Sequence, residues 1–160
     1  MSLLQGFNHV ATVTSDLDRL IAFYEEAFDV EVVLDTHMPA GPRYRHAMLE
    51  FTPTCALHAF EVPEENVRHA GNEMFKRGRV DHLAMSVSNE TVLEEVRKRL
   101  VAAGASTGDI QRFGSVISLY FEDPDGMGCE VACLEEGKGF AQTAPPPPDS
   151  PFWQRQGSDS

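Results

Sequence analysis

The stretch DHLAMSV, residues 81–87, has the composition of a short buried strand into which one imidazole, that of His82, is set. Because side chains alternate along a strand, this ring is expected to point from one face of a sheet. A second strand-like run, CEVACL at residues 129–134, carries Glu130, which lies 48 positions after His82. The C-terminal half therefore places an imidazole and a carboxylate on two predicted strands.

The N-terminal half carries a similar pair. His9 lies in FNHVATV, residues 7–13, and His58 lies in LHAFEV, residues 57–62, so the two are 49 positions apart. A single histidine in an apolar strand is more often a hydrogen-bonded core residue than a ligand. Ligand-type side chains repeated at nearly equal spacing favour a metal instead. The pattern predicts one metal site at a pseudo-twofold axis, with His9, His58, His82 and Glu130 as its ligands.

The first half reads β-α-β-β-β. An amphipathic helix is predicted over Leu17–Phe28, opened by a capping box of Ser15 with Asp18. Strands are predicted at residues 30–34 and 44–51, on either side of a loop rich in proline. The His9 and His58 runs complete this unit.

The second half repeats the order. A helix is predicted over residues 91–103, capped by Ser88 or Asn89 and stopped by Gly104. A weak strand at residues 107–112 and a strong one at 116–121 follow, and a DPDG turn leads into the Glu130 strand. This is an internal repeat of supersecondary units.

Composition limits the possible classes of protein. The chain has 160 residues, of which 42% are apolar, so one globular domain is expected. Its net charge of −12 disfavours nucleic acid and anionic membranes as partners. No apolar run approaches the roughly 20 residues of a membrane helix, and the first residues do not resemble a secretory signal. Three cysteines, predicted to be core filler, fit a reducing cytoplasm.

The predicted domain covers residues 1–136, with a first module at about 5–65 and a second at about 78–136. The charged, aperiodic stretch Pro63–Arg79 is the predicted connector, and its His69 is expected to be solvated. Residues 137–160 form a proline-rich C-terminal tail. Phe152 and Trp153 in this tail are candidate anchors on the body or on a partner subunit.

These motifs resemble the vicinal oxygen chelate superfamily, which includes glyoxalase I, extradiol dioxygenases, methylmalonyl-CoA epimerase and the fosfomycin and bleomycin resistance proteins. The likeness covers about residues 5–136. It is carried by YFEDPDG (120–126) with Glu130, by His82 in VDHLAMSV, by His9 in FNHVATV and by LIAFYEEAF (20–28). It implies an α+β fold of paired βαβββ modules that form a curled mixed sheet around a metal cleft.

The resemblance also implies residue roles. His9, His82 and Glu130 match ligand positions of the superfamily. His58 matches the fourth strand of the first module, where relatives have a carboxylate, a glutamine or a histidine. Glu61 competes with His58, and because the two are three residues apart, only one can face the metal. The spacing of the halves favours His58, and strand parity alone leaves both open.

The implied chemistry is bidentate chelation of two neighbouring substrate oxygens by a divalent ion of Fe, Zn, Ni, Mn or Co. Glu130 and His58 are the candidate catalytic residues, with His58 as fourth ligand or as the residue that moves a proton. Tyr120 could contact the substrate or support a ligand, but its place in an apolar strand favours a packed core residue. Loops such as His37–Arg45 are expected to select the substrate.

Three functions follow. The first is a metal-dependent enzyme, a dioxygenase, lyase or isomerase, acting on a small molecule as a cytoplasmic homodimer. The second is a bleomycin-resistance-like protein that binds a small molecule without turnover. The third is a structural or partner-binding dimer that uses its tail as the contact. A full set of ligand-type residues argues against a metal-free binder.

Overall fold

The computed structural model of the chain describes residues 3, 6–39, 44–67 and 80–145. The chain divides into two compact units, Met1–Arg68 and His69–Ser160. Several predicted features lie outside the described residues, namely most of the connector with His69, the middle of the loop at 40–43, and the tail from 146 onward with Phe152 and Trp153. The single-domain boundaries at 1–136 stay a prediction.

The first unit contains one helix and a four-stranded mixed sheet. Its strand order is β1-β4-β3-β2, with β1 parallel to β4 and the other neighbours antiparallel. The elements are β1 (His9–Thr14), α1 (Leu17–Phe28), β2 (Glu31–His37), β3 (Arg45–Thr52) and β4 (Cys55–Glu61).

The second unit repeats this topology. Its order is β5-β8-β7-β6, again with the first strand of the unit parallel to its last. The elements are β5 (Leu83–Ser86), α2 (Glu90–Ala102), β6 (Ile110–Phe113), β7 (Val116–Glu122) and β8 (Gly128–Leu134). Both sheets are open, and the α+β fold of repeated βαβββ units is confirmed.

The helix bounds of α1 agree with the prediction, but the predicted cap is wrong. Asp16, not Ser15, is the N-cap, and its Oδ1 accepts a hydrogen bond from the backbone N–H of Arg19 at 2.9 Å. A carboxylate has greater acceptor capacity than a hydroxyl, and its charge suits the positive end of the helix.

The structure shows which of the two candidates, Ser88 or Asn89, caps α2. The side chain of Asn89 accepts from the backbone N–H of Val92 at 3.1 Å. Gly104 follows the helix with a φ of 70°, the left-handed conformation expected of it.

Each sheet buries one face against its own helix. In the first unit the buried side chains of α1 face those of β3 and β4, and in the second unit α2 packs against β7 and β8 in the same way. The buried residues include Leu17, Leu20, Leu49 and Leu57 in one unit, and Leu93, Leu100, Leu119 and Val131 in the other. Strand alternation therefore places His58 and Glu130 on the sheet face opposite the helix.

One predicted strand is shorter than expected. The ladder between β5 and β8 begins at the pair Leu83↔Cys129. His82 therefore lies one residue before β5 rather than inside it. In the described part of the chain, no helix is long and apolar enough to cross a membrane.

Candidate metal centre

His82 and Glu130 meet in the second unit. Nε2 of His82 lies 2.9 Å from Oε2 of Glu130, and the two side chains are 24% and 10% exposed. The register explains the contact, because Glu130 pairs with Ala84, which shares a strand face with the residue two positions earlier. The predicted imidazole and carboxylate of this unit are thus brought together.

The spacing of these two atoms fits a shared metal ion. Nitrogen and oxygen ligands bind zinc at about 2.0–2.2 Å, so two ligands at a right angle lie roughly 3 Å apart. The observed 2.9 Å agrees with this value. Without a metal, the hydrogen bond to Glu130 is the main cause that raises the pKa of His82, against an opposing effect of burial.

Two further side chains orient this pair. Nδ1 of His82 lies 2.8 Å from Oδ2 of Asp81, and since a carboxylate only accepts, Nδ1 carries the proton. Ser118 Oγ donates to Glu130 Oε1, so that Oε2 is the oxygen that faces His82. Such partners fix the tautomer and direction of a ligand.

Tyr120 is only partly buried and lies beside the pair, which agrees with the alternative role of a site contact rather than with the favoured role of a core residue. Its ring meets that of His82 edge-on, with centroids 5.5 Å apart, and it lines a pocket together with Glu130. Burial, followed by the charge of Glu130, raises the pKa of the Tyr120 hydroxyl above its ordinary value. The apolar strand pattern left both roles open, because it does not show which face of the strand is covered.

The first unit brings His9 and His58 together in the equivalent way. His58 pairs with Ala11, which lies two residues after His9 on the same face of β1. The two rings are 5.9 Å apart at an interplanar angle of 71°. Nδ1 of His9 lies 2.8 Å from Oδ1 of Asn8, just as Asp81 holds His82.

His46, which the sequence reasoning did not single out, belongs to this group. Its Nδ1 lies 2.9 Å from Nε2 of His58, and its ring stacks on Phe60. Burial is the main cause that lowers the pKa of His58, followed by the charges of His46 and His9. A signal was present, because residue 46 precedes 58 by twelve positions, as Ser118 precedes Glu130.

Glu61 is engaged elsewhere in the first unit. Its Oε1 accepts from the backbone N–H of Leu17, the first residue of α1, at 3.1 Å. This carboxylate stabilises a helix N-terminus, whereas His58 lies beside His9. The geometry within the unit therefore favours His58 over Glu61 as the site residue.

Neither unit holds a full ligand set by itself. Among the described residues of each, no three His, Cys, Asp or Glu side chains are grouped so that they could hold a metal ion. Each unit holds one pair of the predicted ligands, and the role of the four residues as metal ligands stays a prediction.

The chain is similar in sequence to curated proteins. A lactoylglutathione lyase of Arabidopsis thaliana is 30% identical over 127 residues, which is 78% of this chain and 43% of the relative. A putative ring-cleaving dioxygenase of Bacillus subtilis (strain 168), MhqA, is 22% identical over 86% of this chain and 43% of its own. This chain thus spans less than half the length of the curated relatives it matches.

The fold of the chain also resembles that of a solved structure. A solved glyoxylase/bleomycin resistance protein/dioxygenase domain from Frankia sp. EAN1pec superposes with a TM-score of 0.67 at 25% identity, over 84% of this chain and 96% of that one. The sequence profile of the Glyoxalase/Bleomycin resistance protein/Dioxygenase superfamily matches residues 6–131, a span that includes all four predicted ligands. The chain therefore belongs to the glyoxalase/bleomycin resistance protein/dioxygenase superfamily.

Proposed function

We propose that this protein is a metal-dependent enzyme that acts on a small molecule through two neighbouring substrate oxygens. The proposed ligands of a divalent ion of Fe, Zn, Ni, Mn or Co are His9, His58, His82 and Glu130. The observation that carries the proposal is the repeat. Both units set a histidine beside a second ligand-type side chain on the adjacent parallel strand, at the same register.

The chemistry of the donor set supports a transition metal. Imidazole suits zinc, copper, iron and nickel, and a carboxylate extends the range to manganese. When bound, such an ion supplies a Lewis acid that polarises the substrate oxygens.

The side chains around the donors have separate tasks in this proposal. Asp81 and Asn8 hold the Nδ1 protons of their histidines, which leaves each Nε2 lone pair for a ligand bond. Ser118 occupies one oxygen of Glu130 and leaves the other for the site.

His58 is proposed as the fourth ligand or, where it leaves that position open, as the residue that moves a proton. Its lowered pKa keeps the ring neutral at pH 7, and His46 provides a hydrogen-bond partner for one of its nitrogens. A neutral imidazole beside the site accepts a proton from a substrate carbon or hydroxyl. Glu130 provides the negative charge next to the reacting oxygens.

The relatives suggest two reaction classes, a lyase and a ring-cleaving dioxygenase. Protein stripped with a chelator is reloaded with each of the five metals and assayed for S-lactoylglutathione formation and for oxygen uptake with catechols. We expect turnover of one substrate class with at least one metal, and none in stripped protein. Metal and ligand binding without any turnover would support the alternative of a bleomycin-resistance-like binding protein.

A cytoplasmic homodimer is part of the same proposal. The three free cysteines agree with a reducing compartment. Val33 and Leu34 on the edge strand β2 are 50% and 41% exposed, and apolar side chains of this kind suit a subunit contact. Light scattering of the purified chain is expected to give twice the 17.7 kDa chain mass, and a monomer at micromolar concentration would rule the dimer out.

A further inference from the structure

A segment beyond β8 folds back onto the second unit. This return segment, residues 137–145, contains a short 3₁₀ turn at Phe140–Gln142. The backbone N–H of Ser115 donates to the carbonyl of Gln142, and the N–H of Ala144 donates to the carbonyl of Phe113, both at 3.1 Å. The segment is therefore hydrogen-bonded to the turn between β6 and β7.

The turn is shaped to receive it. Gly114 has a φ of 64°, and a Cβ at this position would lie 2.2 Å from the carbonyl oxygen of Gln142 and 2.7 Å from the nitrogen of Ala144. Only glycine allows this approach. Ser115 adds a side-chain bond from its Oγ to the carbonyl of Gly139 at 2.8 Å.

The return segment forms one side of a pocket of about 460 Å³ that lies wholly within the second unit. It supplies Phe140, Thr143, Ala144 and Pro145 to the lining. The sheet supplies Phe113, Val116, Tyr120 and Glu130. The lining is mostly apolar, and its one charged group is the carboxylate assigned above to the metal.

We propose that the return segment determines substrate specificity by binding the apolar body, an aromatic ring or branched alkyl group, of the molecule whose two oxygens are chelated beside Glu130. This inference rests on the proposed function. The volume falls in the range of small-molecule sites, which are typically apolar with a few polar groups. Phe140 is 77% exposed, so a ligand ring placed against it removes apolar surface from water.

The return segment, which forms this wall of the pocket, lies outside the part of the chain that the superfamily profile matches. The superfamily profile ends at residue 131, before the return segment begins. The polar atoms that hold the segment are backbone groups of the β6–β7 turn and the Oγ of Ser115. A relative with a different sequence at Gly114 or Phe140 would have a different pocket.

The test uses two chelators with the same metal-binding head. Acetohydroxamate and benzohydroxamate both chelate through two neighbouring oxygens, and only the second carries a ring. Their dissociation constants are measured by titration calorimetry and by the visible spectrum of the full-length Co(II) protein. We expect wild type to prefer benzohydroxamate roughly tenfold or more, which corresponds to burial of part of a phenyl ring.

Phe140→Ala, at an exposed side chain, is expected to reduce this preference to about threefold or less while acetohydroxamate affinity stays unchanged. Gly114→Ala, which displaces the segment, is expected to act in the same direction. The control is Val101→Ala, on the exposed side of α2, which should leave the preference unchanged.

If the ratio of the two dissociation constants were the same in wild type and in both variants, the return segment would not determine specificity. The proposed chelation by the metal would be unaffected by that result. Metal-loaded protein that binds neither hydroxamate would overturn both the wall and the chelating function. Failure to bind metal at all would remove the proposed function itself. The measured metal content of the protein shows this outcome, independently of the hydroxamate titrations.

Discussion

Replacing Glu61 tests whether this residue or His58 belongs to the site. Glu61 accepts a hydrogen bond from the N–H of Leu17 at 3.1 Å, and Leu17 is 0% exposed. Leaving a buried donor without its partner costs about 1–3 kcal/mol, and an anion at a helix N-terminus adds about 0.3–1 kcal/mol. Because Asp16 continues to cap the helix, we take the lower part of this range for Glu61→Ala, about 1–2 kcal/mol.

The assay has two readouts. Urea unfolding of metal-stripped protein, followed by circular dichroism, gives the free energy of unfolding, and elemental analysis gives the bound metal. Glu61→Ala is expected to lose stability and keep its metal. Glu61→Gln keeps an oxygen acceptor, so it should lose only about half as much stability.

His58→Ala should show the reverse pattern, with a clear loss of bound metal and a smaller loss of stability. If Glu61→Ala instead lost its metal at unchanged stability, while His58→Ala kept its metal, the assignment of the two residues would be wrong.

Three further predictions concern the pairs and the helix cap. Asp81→Ala should raise the metal dissociation constant about 10–100-fold, measured by competition with a chromophoric chelator, and an unchanged constant would mean that Asp81 does not orient His82. In metal-stripped protein, NMR should show His82 titrating above its ordinary pKa of 6.5 and His58 below it; the reverse order would contradict the described contacts. The stability contribution of His82 is therefore present below pH 6.5 and lost as the pH rises through its folded pKa, whereas that of His58 is present above pH 6.5 and lost as the pH falls. Asn89→Ala should cost about 1 kcal/mol in urea unfolding, and Ser88→Ala within about 0.5 kcal/mol, and equal losses would refute the assignment of the cap.

Much of the fold follows from periodicity in the sequence. The apolar stripe of Leu17–Phe28 predicts α1 with its observed bounds. The near-equal spacing of His9 to His58 and of His82 to Glu130 anticipates the repeated pairing of the first and last strands. These patterns predict the elements correctly because each half of the sequence folds into the same βαβββ unit.

Contacts across strands were harder to predict. His46 reaches His58, and Ser118 reaches Glu130, only because β3 and β7 pair with their neighbours at a particular register. Register depends on turns and bulges that residue type does not reveal. The same holds for Tyr120, whose environment depends on the return segment.

That segment left no periodic signal in the sequence. Its proline-rich surroundings predict an extended tail. Its placement depends on the backbone of Gly114, which admits a close approach that any other residue would block.

The most direct test of the central claim is the metal content of protein purified without added metal. We expect about one divalent ion per chain in wild type, and its loss in both His82→Ala and Glu130→Ala with the fold retained by circular dichroism. Glu95→Ala, at an exposed carboxylate on α2, is the matched control and should keep the metal. Unchanged metal content in the His82 and Glu130 variants would contradict the account.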